Sequence, residues 1–418
     1  MHLFFYNIFC WLYRSAIRIA ALWNPKARLW VKGRQDWFST IKPQFDNTPG
    51  PWIWMHCASL GEFEQGRPVL EALRSQYPGY RILLTFFSPS GYEVRKNYPG
   101  ADIVTYLPMD SKVNAMRFIN MVNPSLVLWV KYEYWYYYLT GLRKKQVPVL
   151  LISGIFRKDQ PFFKWYGRLH QYILESFSRL FVQNEASEQL LNGIGFKQVT
   201  VNGDTRFDRV AEIAAQFQPL PAIEAFCGNH PVIVAGSTWD ADEEELDHYA
   251  NTHPEIRFII APHEIEAPHL HDIEKLFKHT IRYSEWSKTL KADPAVNTLI
   301  IDNIGMLSKL YHYATITYIG GGFGKEGVHN VLEAAVYGKP VVFGPVYDKF
   351  IEADELVETG GGISIETALE LEEVFNELLQ DRDEYKKAAS AAAQYVASKT
   401  GATQAVTSYI QENRLLTN

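Results

Sequence analysis

Short apolar runs alternate along this chain with longer segments whose apolar residues fall at helical spacing. In the first half, residues 52–58, 81–86, 103–106, 124–130, 147–153, 179–183 and 199–201 predict strands, with helical patterns between several of them. A proline-containing stretch at 220–231 reads as a hinge. The pattern then restarts with predicted strands at 232–235, 257–261, 298–301 and 316–319, and another at 341–343. The last 50 or so residues are helical and alanine-rich. Strands alternating with helices imply parallel sheets buried on both faces. The expectation is two Rossmann-like α/β domains, 46–219 and 220–418, facing across a cleft, with 1–45 as a separate N-terminal segment. Ligands in such sheets bind beyond the carboxyl ends of the strands.

One stretch, 314–345, organises the second half. The strand at 316–319 runs into Gly320, Gly321 and Gly322. Helical spacing is predicted over 328–337, ended by Gly338 and Pro340. Glycines between strand and helix let backbone amides approach an anion, and the helix dipole adds positive charge. Asn330 and Glu333 follow, and a carboxylate there can accept both hydroxyls of a ribose. The stretch therefore suits a nucleotide. Its spacing fits neither the dinucleotide fingerprint nor a P-loop.

Length, charge and cysteines narrow the picture. A chain of 418 residues suggests two domains. Its net charge of -6 argues against general nucleic-acid binding. Cys10, Cys57 and Cys227 make no metal spacing and fit a reducing compartment. The N-terminus differs from the rest. Residues 3–12 are apolar and aromatic, too few for a comfortable membrane span of about 20 residues. Residues 1–45 carry seven basic side chains (Arg14, Arg18, Lys26, Arg28, Lys32, Arg34, Lys42) against one acidic, Asp36. With Trp11, Trp23, Trp30 and Trp37, that asymmetry predicts association with an anionic membrane surface. The alternative is an amphipathic helix packed on the protein body.

Candidate chemistry clusters at predicted strand ends. Glu62 follows Gly61 at a strand-to-helix turn, suited to a general base or to capping its own helix. Glu133 lies among Tyr132, Tyr134 and Trp135, where burial raises a carboxyl's pKa or Lys131 pairs with it. Arg206 offers charge to a leaving phosphate, or bridges Asp204 and Asp208. Ser237 and Thr238 stand at a helix start, as an anion site or a cap. Asp240-Ala241-Asp242 spells D-x-D, and is read as acidic charge complementing a helix N-terminus. Zinc-protease, C-x-x-C and G-x-S-x-G motifs are absent.

An ordered set of motifs carries a family likeness. It runs from His56-Cys57-Ala58-Ser59-Leu60-Gly61-Glu62 and Thr85-Phe86-Phe87-Ser88-Pro89-Ser90-Gly91 through Tyr106-Leu107-Pro108-Met109-Asp110 and Glu133-Tyr134-Trp135. It continues with Val201-Asn202-Gly203-Asp204-Thr205-Arg206-Phe207-Asp208, Ala235-Gly236-Ser237-Thr238, residues 320–333, Gly338-Lys339-Pro340 and Phe343-Gly344-Pro345. At these residues the chain resembles the 3-deoxy-D-manno-octulosonic acid (Kdo) transferases, the lipid A glycosylating enzymes of Gram-negative bacteria, over nearly its whole length.

The resemblance implies a GT-B architecture and inverting transfer of Kdo from CMP-Kdo to a lipid A precursor. It places the reaction at the cytoplasmic face of the inner membrane, with no metal cofactor required. It makes 46–219 the acceptor domain and 220–418 the CMP-sugar domain. It implies Glu62 as the base, with Glu133 and Arg206 supporting the transition state. CMP contacts are implied at Pro262, His263, Ile304, Gly305, Met306, Asn330, Val331, Leu332 and Glu333. Ser237, Thr238, Gly321 and Gly322 complete the donor-site candidates. The chain departs from the family at Pro262-His263-Glu264, where Pro-Arg-His is usual, so an imidazole replaces a guanidinium. Lys131 replaces a common glutamate and Arg206 a usual lysine. Val346 and Lys349 replace a His and an Asn, and Ser153-Gly154-Ile155 replaces Asn-Ala-Arg. Two other readings remain: a GT-B enzyme using a UDP- or GDP-sugar, as transferase or epimerase, and a non-catalytic nucleotide- or lipid-binding scaffold.

Overall fold

A computed structural model describes residues 2–290, 293 and 295–417. Positions 1, 291, 292, 294 and 418 fall in the expected segments 1–45 and 220–418 and lie outside the described residues. The apolar runs form strands because both faces are covered. In the first unit these are β1 (Trp52–Cys57), β2 (Arg81–Phe86), β3 (Ile103–Tyr106), β4 (Pro124–Val130), β5 (Val149–Gly154), β6 (Arg179–Val182) and β7 (Val199–Val201). They pair in parallel in the order β3-β2-β1-β4-β5-β6-β7. The order reverses between β1 and β4, which opens a crevice at their carboxyl ends.

The second unit repeats the plan. Its strands are β8 (Val232–Thr238), β9 (Arg257–Pro262), β10 (Thr280–Arg282), β11 (Thr298–Ile300), β12 (Ile316–Ile319), β13 (Val341–Phe343) and β14 (Gly362–Ser364). They run parallel in the order β10-β11-β9-β8-β12-β13-β14, with the reversal between β8 and β12. The edge strands β10 and β14 were not expected. Each has three residues and only partial burial, too little to give a periodic signal.

The division between units differs from the expected 219/220. The first unit ends at Asp208, within the helix Thr205–Ala215, and regains residues 401–418. Asp208 accepts hydrogen bonds from the amides of Gly401 and Thr403, both at 2.6 Å. The helix Ala402–Glu412 then packs on the helix Leu60–Gln76, placing Val406 and Ile410 in the core around β1 and β2. The C-terminal end therefore does not belong with 220–400.

The N-terminal segment is likewise part of the first unit. It forms the helices His2–Ala20, Pro25–Lys32 and Trp37–Asp46. Trp30, Trp37, Ile41 and Phe45 join the core that contains Trp54 and Phe118. Trp37 Nε1 donates to Thr105 at 2.8 Å, and Arg34 donates to the carbonyls of Leu107 and Phe87 at 2.9 and 2.7 Å. No helix among the described residues is long and apolar enough to cross a membrane.

Gly320 allows the close approach of β8 and β12. A Cβ there would stand 2.3 Å from the Ser237 carbonyl oxygen and 2.6 Å from the Thr238 Cα. Both obstacles are backbone, so Gly320→Ala is expected to destabilise the second unit by about 1–3 kcal/mol. Urea unfolding checks this, and an unchanged midpoint would show that the strand ends can part without cost.

Candidate active site

Glu62 sits in the first turn of the helix Leu60–Gln76, directly after β1. Ser59 caps that helix by accepting from the Glu62 amide at 3.4 Å. The Glu62 carboxylate turns back to accept from the Ala58 amide. It is also held by the backbone of Tyr132, which follows β4. Two neighbouring strand ends thus grip one carboxylate, which is only 7% exposed. Burial pushes its pKa up to about 7, and the charge of Glu133 acts in the same direction. The two amides and Lys131 oppose that rise. The balance leaves a carboxyl that changes charge near neutral pH, as a general base requires.

Glu133 is held by partners that sequence inspection did not identify. His56 Nε2 lies 3.0 Å from its Oε2, and Trp135 Nε1 donates to the same oxygen at 3.0 Å. A carboxylate oxygen accepts, so His56 donates from Nε2. In the neutral ring, Nδ1 then accepts from the Thr85 hydroxyl at 2.9 Å, and Trp54 Nε1 donates to that hydroxyl at 2.8 Å. His56 is completely buried. Its place inside a strand made it resemble an ordinary core residue.

Arg206 is anchored by Asp204, donating from Nε to Oδ2 at 3.0 Å and from its backbone amide to Oδ1 at 2.9 Å. Asp204 also accepts from Gln65 and Gln183, at 2.8 and 3.0 Å. Gln65 lies one turn beyond Glu62, so this network ties Arg206 to the helix of the candidate base. Asp208, the other acid expected beside Arg206, accepts from the Gly401 and Thr403 amides and so caps the C-terminal helix. The charges of Arg157, Glu62, Arg206 and Asp204 all bear on the Tyr132 hydroxyl, which burial pushes above its ordinary pKa. The structure therefore gathers Glu62, Tyr132 and Arg206, with Glu133 beside them. The aromatic residues around Glu133 were the available signal for Tyr132. Arg157 and Gln65 gave none.

In the second unit the donor-site candidates surround the reversal between β8 and β12. Ser237 has φ +56 and Gly321 φ +91. The Gly321 amide donates to Asp242 at 2.8 Å, and that carboxylate also receives the Trp239 amide and the Tyr318 hydroxyl, both at 2.9 Å. Asp242 is thus a buried strut, as an N-terminal acidic residue of its helix. The Thr238 hydroxyl is turned inward and donates to Glu243 at 2.7 Å, so it is not presented as an anion donor. Asn330 accepts from the Leu332 amide at 3.3 Å and donates to Glu333 at 3.0 Å. The helix expected over 328–337 is only Leu332–Ala335. Upstream, the amides of Val328 and His329 bond to the carbonyls of Val346 and Gly320, which keeps the chain extended. Gly322 packs against Gly344, Pro262 closes β9, and Val331 is buried. Gly305 has φ +98, between Ile304, which is 87% exposed, and Met306.

His263 does not simply replace a guanidinium. Its ring stacks on Trp239 at 4.6 Å and on His329 at 4.5 Å. Trp239 and His329 are nearly coplanar, with centroids 6.4 Å apart, and Trp239 Nε1 donates to His329 Nε2 at 3.0 Å. His263 therefore covers their shared edge. Burial, then repulsion from His263, pushes the His329 pKa down to about 4, which keeps Nε2 available as the acceptor. Neither Trp239 nor His329 was singled out in the sequence, although each adjoins a residue that was.

Among the described residues, Asp240, Glu243 and His269 lie close enough together to hold a metal ion. As arranged, His269 bridges the two acids, with Nδ1 3.0 Å from Asp240 and Nε2 3.3 Å from Glu243.

Two α/β units of this kind, each with a parallel sheet, make up the GT-B fold. The UDP-N-acetylglucosamine 2-epimerase of Neisseria meningitidis, bound to UDP-GlcNAc, superposes with a TM-score of 0.61 at 16% identity, covering 86% of this chain and 100% of that one. Residues 31–209 match the family model described as 3-deoxy-D-manno-octulosonic-acid transferase (kdotransferase). The chain is 26% identical to the Aquifex aeolicus 3-deoxy-D-manno-octulosonic acid transferase over 80% of its own length and 88% of the relative's. For the Chlamydia trachomatis (serovar A) transferase of the same name, the identity is 27% over 82% and 81%. Over residues 31–209, and in relatives 26–27% identical across about four fifths of its length, the chain is similar to the Kdo transferases, a family of glycosyltransferases.

The raised Glu62 pKa has a definite sign for stability. Between the unfolded value of about 4.3 and the folded value, the native protein retains a proton that the unfolded chain has released. Stability therefore falls as pH rises through this window, and the loss is complete above about 7. Glu62→Gln removes that penalty. Its stability relative to wild type is expected to rise by roughly 1–3 kcal/mol between pH 5 and pH 8, read by urea unfolding. A difference that stays flat with pH would contradict the raised pKa.

Proposed function

We propose that this protein transfers Kdo from CMP-Kdo to a lipid A precursor, with inversion, as a step of lipopolysaccharide core synthesis at the cytoplasmic face of the inner membrane. The observation that carries this reading is the buried Glu62 carboxylate, gripped by two strand ends and titrating near 7. Glu62 takes the proton of the acceptor hydroxyl while the hydroxyl oxygen attacks the anomeric carbon of Kdo. The bond from that carbon to the phosphate oxygen breaks, and CMP leaves with the electron pair. Glu133 keeps Glu62 basic through its charge. Arg206 supplies positive charge beside the reacting groups.

In the donor unit, the backbone around Gly321 and Gly322 and the turn at Asn330 face the nucleotide, and Glu333 receives the ribose hydroxyls. CMP departs as a phosphate monoester anion, which amides and a cation can stabilise without a bound metal. A chelator is therefore expected to leave the rate unchanged. If it abolished turnover, Asp240, Glu243 and His269 would be the first residues to examine.

Membrane attachment rests on the helix His2–Ala20. Its Tyr6, Cys10, Tyr13 and Ile17 pack on the body, while Phe4, Ile8, Trp11, Leu12 and Ile19 point away and are exposed. Arg14 and Arg18 flank the exposed face and line a pocket with Arg117. A helix lying in the interface of an anionic leaflet accounts for both features. Replacing Trp11, 66% exposed, by Glu is expected to lower affinity for phosphatidylglycerol-containing vesicles at least tenfold in co-sedimentation. Unaltered binding would remove this helix from the membrane role.

The transfer itself is tested with full-length protein in detergent, a lipid A precursor and CMP-Kdo made in situ. The expected result is a gain of Kdo mass in the lipid. Glu62→Gln is expected to cut the rate by roughly 100-fold or more while CMP still protects against thermal unfolding. Absence of the mass gain with a verified donor, together with protection by UDP or GDP alone, would favour a diphosphate-sugar enzyme.

A further inference from the structure

A groove of about 650 Å³ runs through the first unit beside Glu133. One wall is the helix His2–Ala20, through Phe5, Phe9 and Tyr13. The other is the segment 160–170, through Phe162, Tyr166 and Leu169. Trp135 and Glu133 lie between them. The volume is within the range of about 300–1,000 Å³ typical of small-molecule pockets. Most of the lining is hydrocarbon or aromatic ring, with few polar groups.

Both rims have the character of a lipid-facing surface. Phe9 is 52% exposed on the first rim, continuous with the outward apolar face of its helix. Trp165 on the second is 95% exposed, and the neighbouring Tyr166 is also exposed. Arg168 is exposed on the same segment, and Arg157 and Lys158 are exposed just before it. Rings beside cations are what an anionic lipid interface selects. Sequence inspection assigned such character to the N-terminus only. The segment is held in shape at Gly167, where a Cβ would stand 2.1 Å from the Pro161 carbonyl oxygen.

The inner end of the groove is chemical. Glu133 lines it, and Glu133 and Glu62 sense each other's charge. Tyr132 lines it too, with its hydroxyl in the field of Glu62 and Arg206. An apolar channel that is open to a lipid-facing surface and ends at Tyr132 and Glu133, both within the electrostatic reach of Glu62, suits a molecule with a hydrocarbon tail and a sugar head. Free phospholipid explains the rims but not the inner end.

We propose that this groove holds one acyl chain of the lipid acceptor, with the acceptor's sugar delivered to Glu62. The proposal rests on the transferase reading and adds a subsite to it. Acyl contacts along Phe9, Trp135, Phe162 and Leu169 select acylated over deacylated acceptors. They also orient the sugar, because a chain fixed along the groove leaves its head few positions.

The test uses full-length protein in detergent, so that membrane docking does not limit the rate. Transfer is measured to an acylated lipid A-type disaccharide and to the same disaccharide stripped of its acyl chains. Wild type is expected to prefer the acylated acceptor in kcat/KM. Leu169→Trp, which fills the groove, is expected to reduce that preference at least tenfold. Leu169→Met, of similar size and apolarity, is expected to retain it. Turnover of the deacylated acceptor in the same preparations shows that each variant is folded. A preference unchanged by Leu169→Trp, or no wild-type preference, would overturn the groove assignment while leaving the transferase reading intact. A wild-type protein inert toward both acceptors would overturn that reading and the subsite with it.

Discussion

A carboxylate taken out of water ionises near neutral pH only where fixed dipoles and charges oppose the loss of solvation, and the strand ends around Glu62 supply them. Burial alone would hold the proton on the carboxyl well above neutral pH. The amides of Ala58 and Tyr132 limit the rise because they are fixed dipoles that need no reorganisation. They can converge only because β1 and β4 are neighbours where the strand order reverses. The sheet topology thus helps to set the proton affinity of the side chain. A line of hydrogen bonds from Trp54 through Thr85 and His56 to Glu133 crosses the same strands and fixes the second carboxylate. The two acids lie close enough to influence each other, while each has its own backbone or ring donors.

The second unit uses the same strand reversal for a different surface. Here the strand ends approach so closely that only Gly320 fits, and the turn beyond them is braced by Asp242. That carboxylate connects the Gly321 amide, the Trp239 amide and the Tyr318 hydroxyl, which makes it part of the scaffold. The short acidic motif therefore splits in two. Asp242 is buried, whereas Asp240 faces His269 at the surface. The hydroxyl of Thr238 is drawn inward by Glu243, so the proposed donor surface is left with backbone, the Asn330 turn and the His263 ring stacked on Trp239 and His329. Where the family's pattern has a permanent cation, this chain has a ring stack. The stack constrains His263 by covering one of its faces.

The strands were legible because a run buried on both sides of a sheet is apolar without interruption. The short edges β10 and β14 were not, since a half-buried run of three residues resembles loop. The helix over 328–337 was overestimated for a different reason. Its apolar residues are real core contacts, but the backbone amides of Val328 and His329 bond across to neighbouring segments instead of along a helix. The end of the second unit was misplaced because Asp208 reaches a helix nearly two hundred positions away, a contact with no local signature. Glu62, Glu133 and Arg206 stood at recognisable strand or helix ends. The residues that hold Glu133 and Arg206, His56 and Asp204 among them, lie in interior or ordinary polar positions. Only the folded arrangement makes them neighbours.

The helix His2–Ala20 brings these arguments together, because it is apolar around most of its circumference. Such a helix is usually buried on every side. Here one face is buried against the first unit, and no described part of that unit covers the opposite face. The buried face is not passively packed. The Tyr6 hydroxyl donates to Asp110 at 2.6 Å and accepts from the Tyr136 amide at 3.0 Å. Asp110 in turn receives the amides of Tyr137 and Tyr138, at 2.9 and 3.2 Å, at the start of the helix Tyr136–Lys144. That helix begins immediately after Glu133 and Trp135. A surface able to meet lipid is thereby joined, through two side chains, to the turn that carries one of the two carboxylates. Moving the N-terminal helix would pull on that turn, so the uncovered outer face of the helix and the position of Glu133 belong to one mechanical connection.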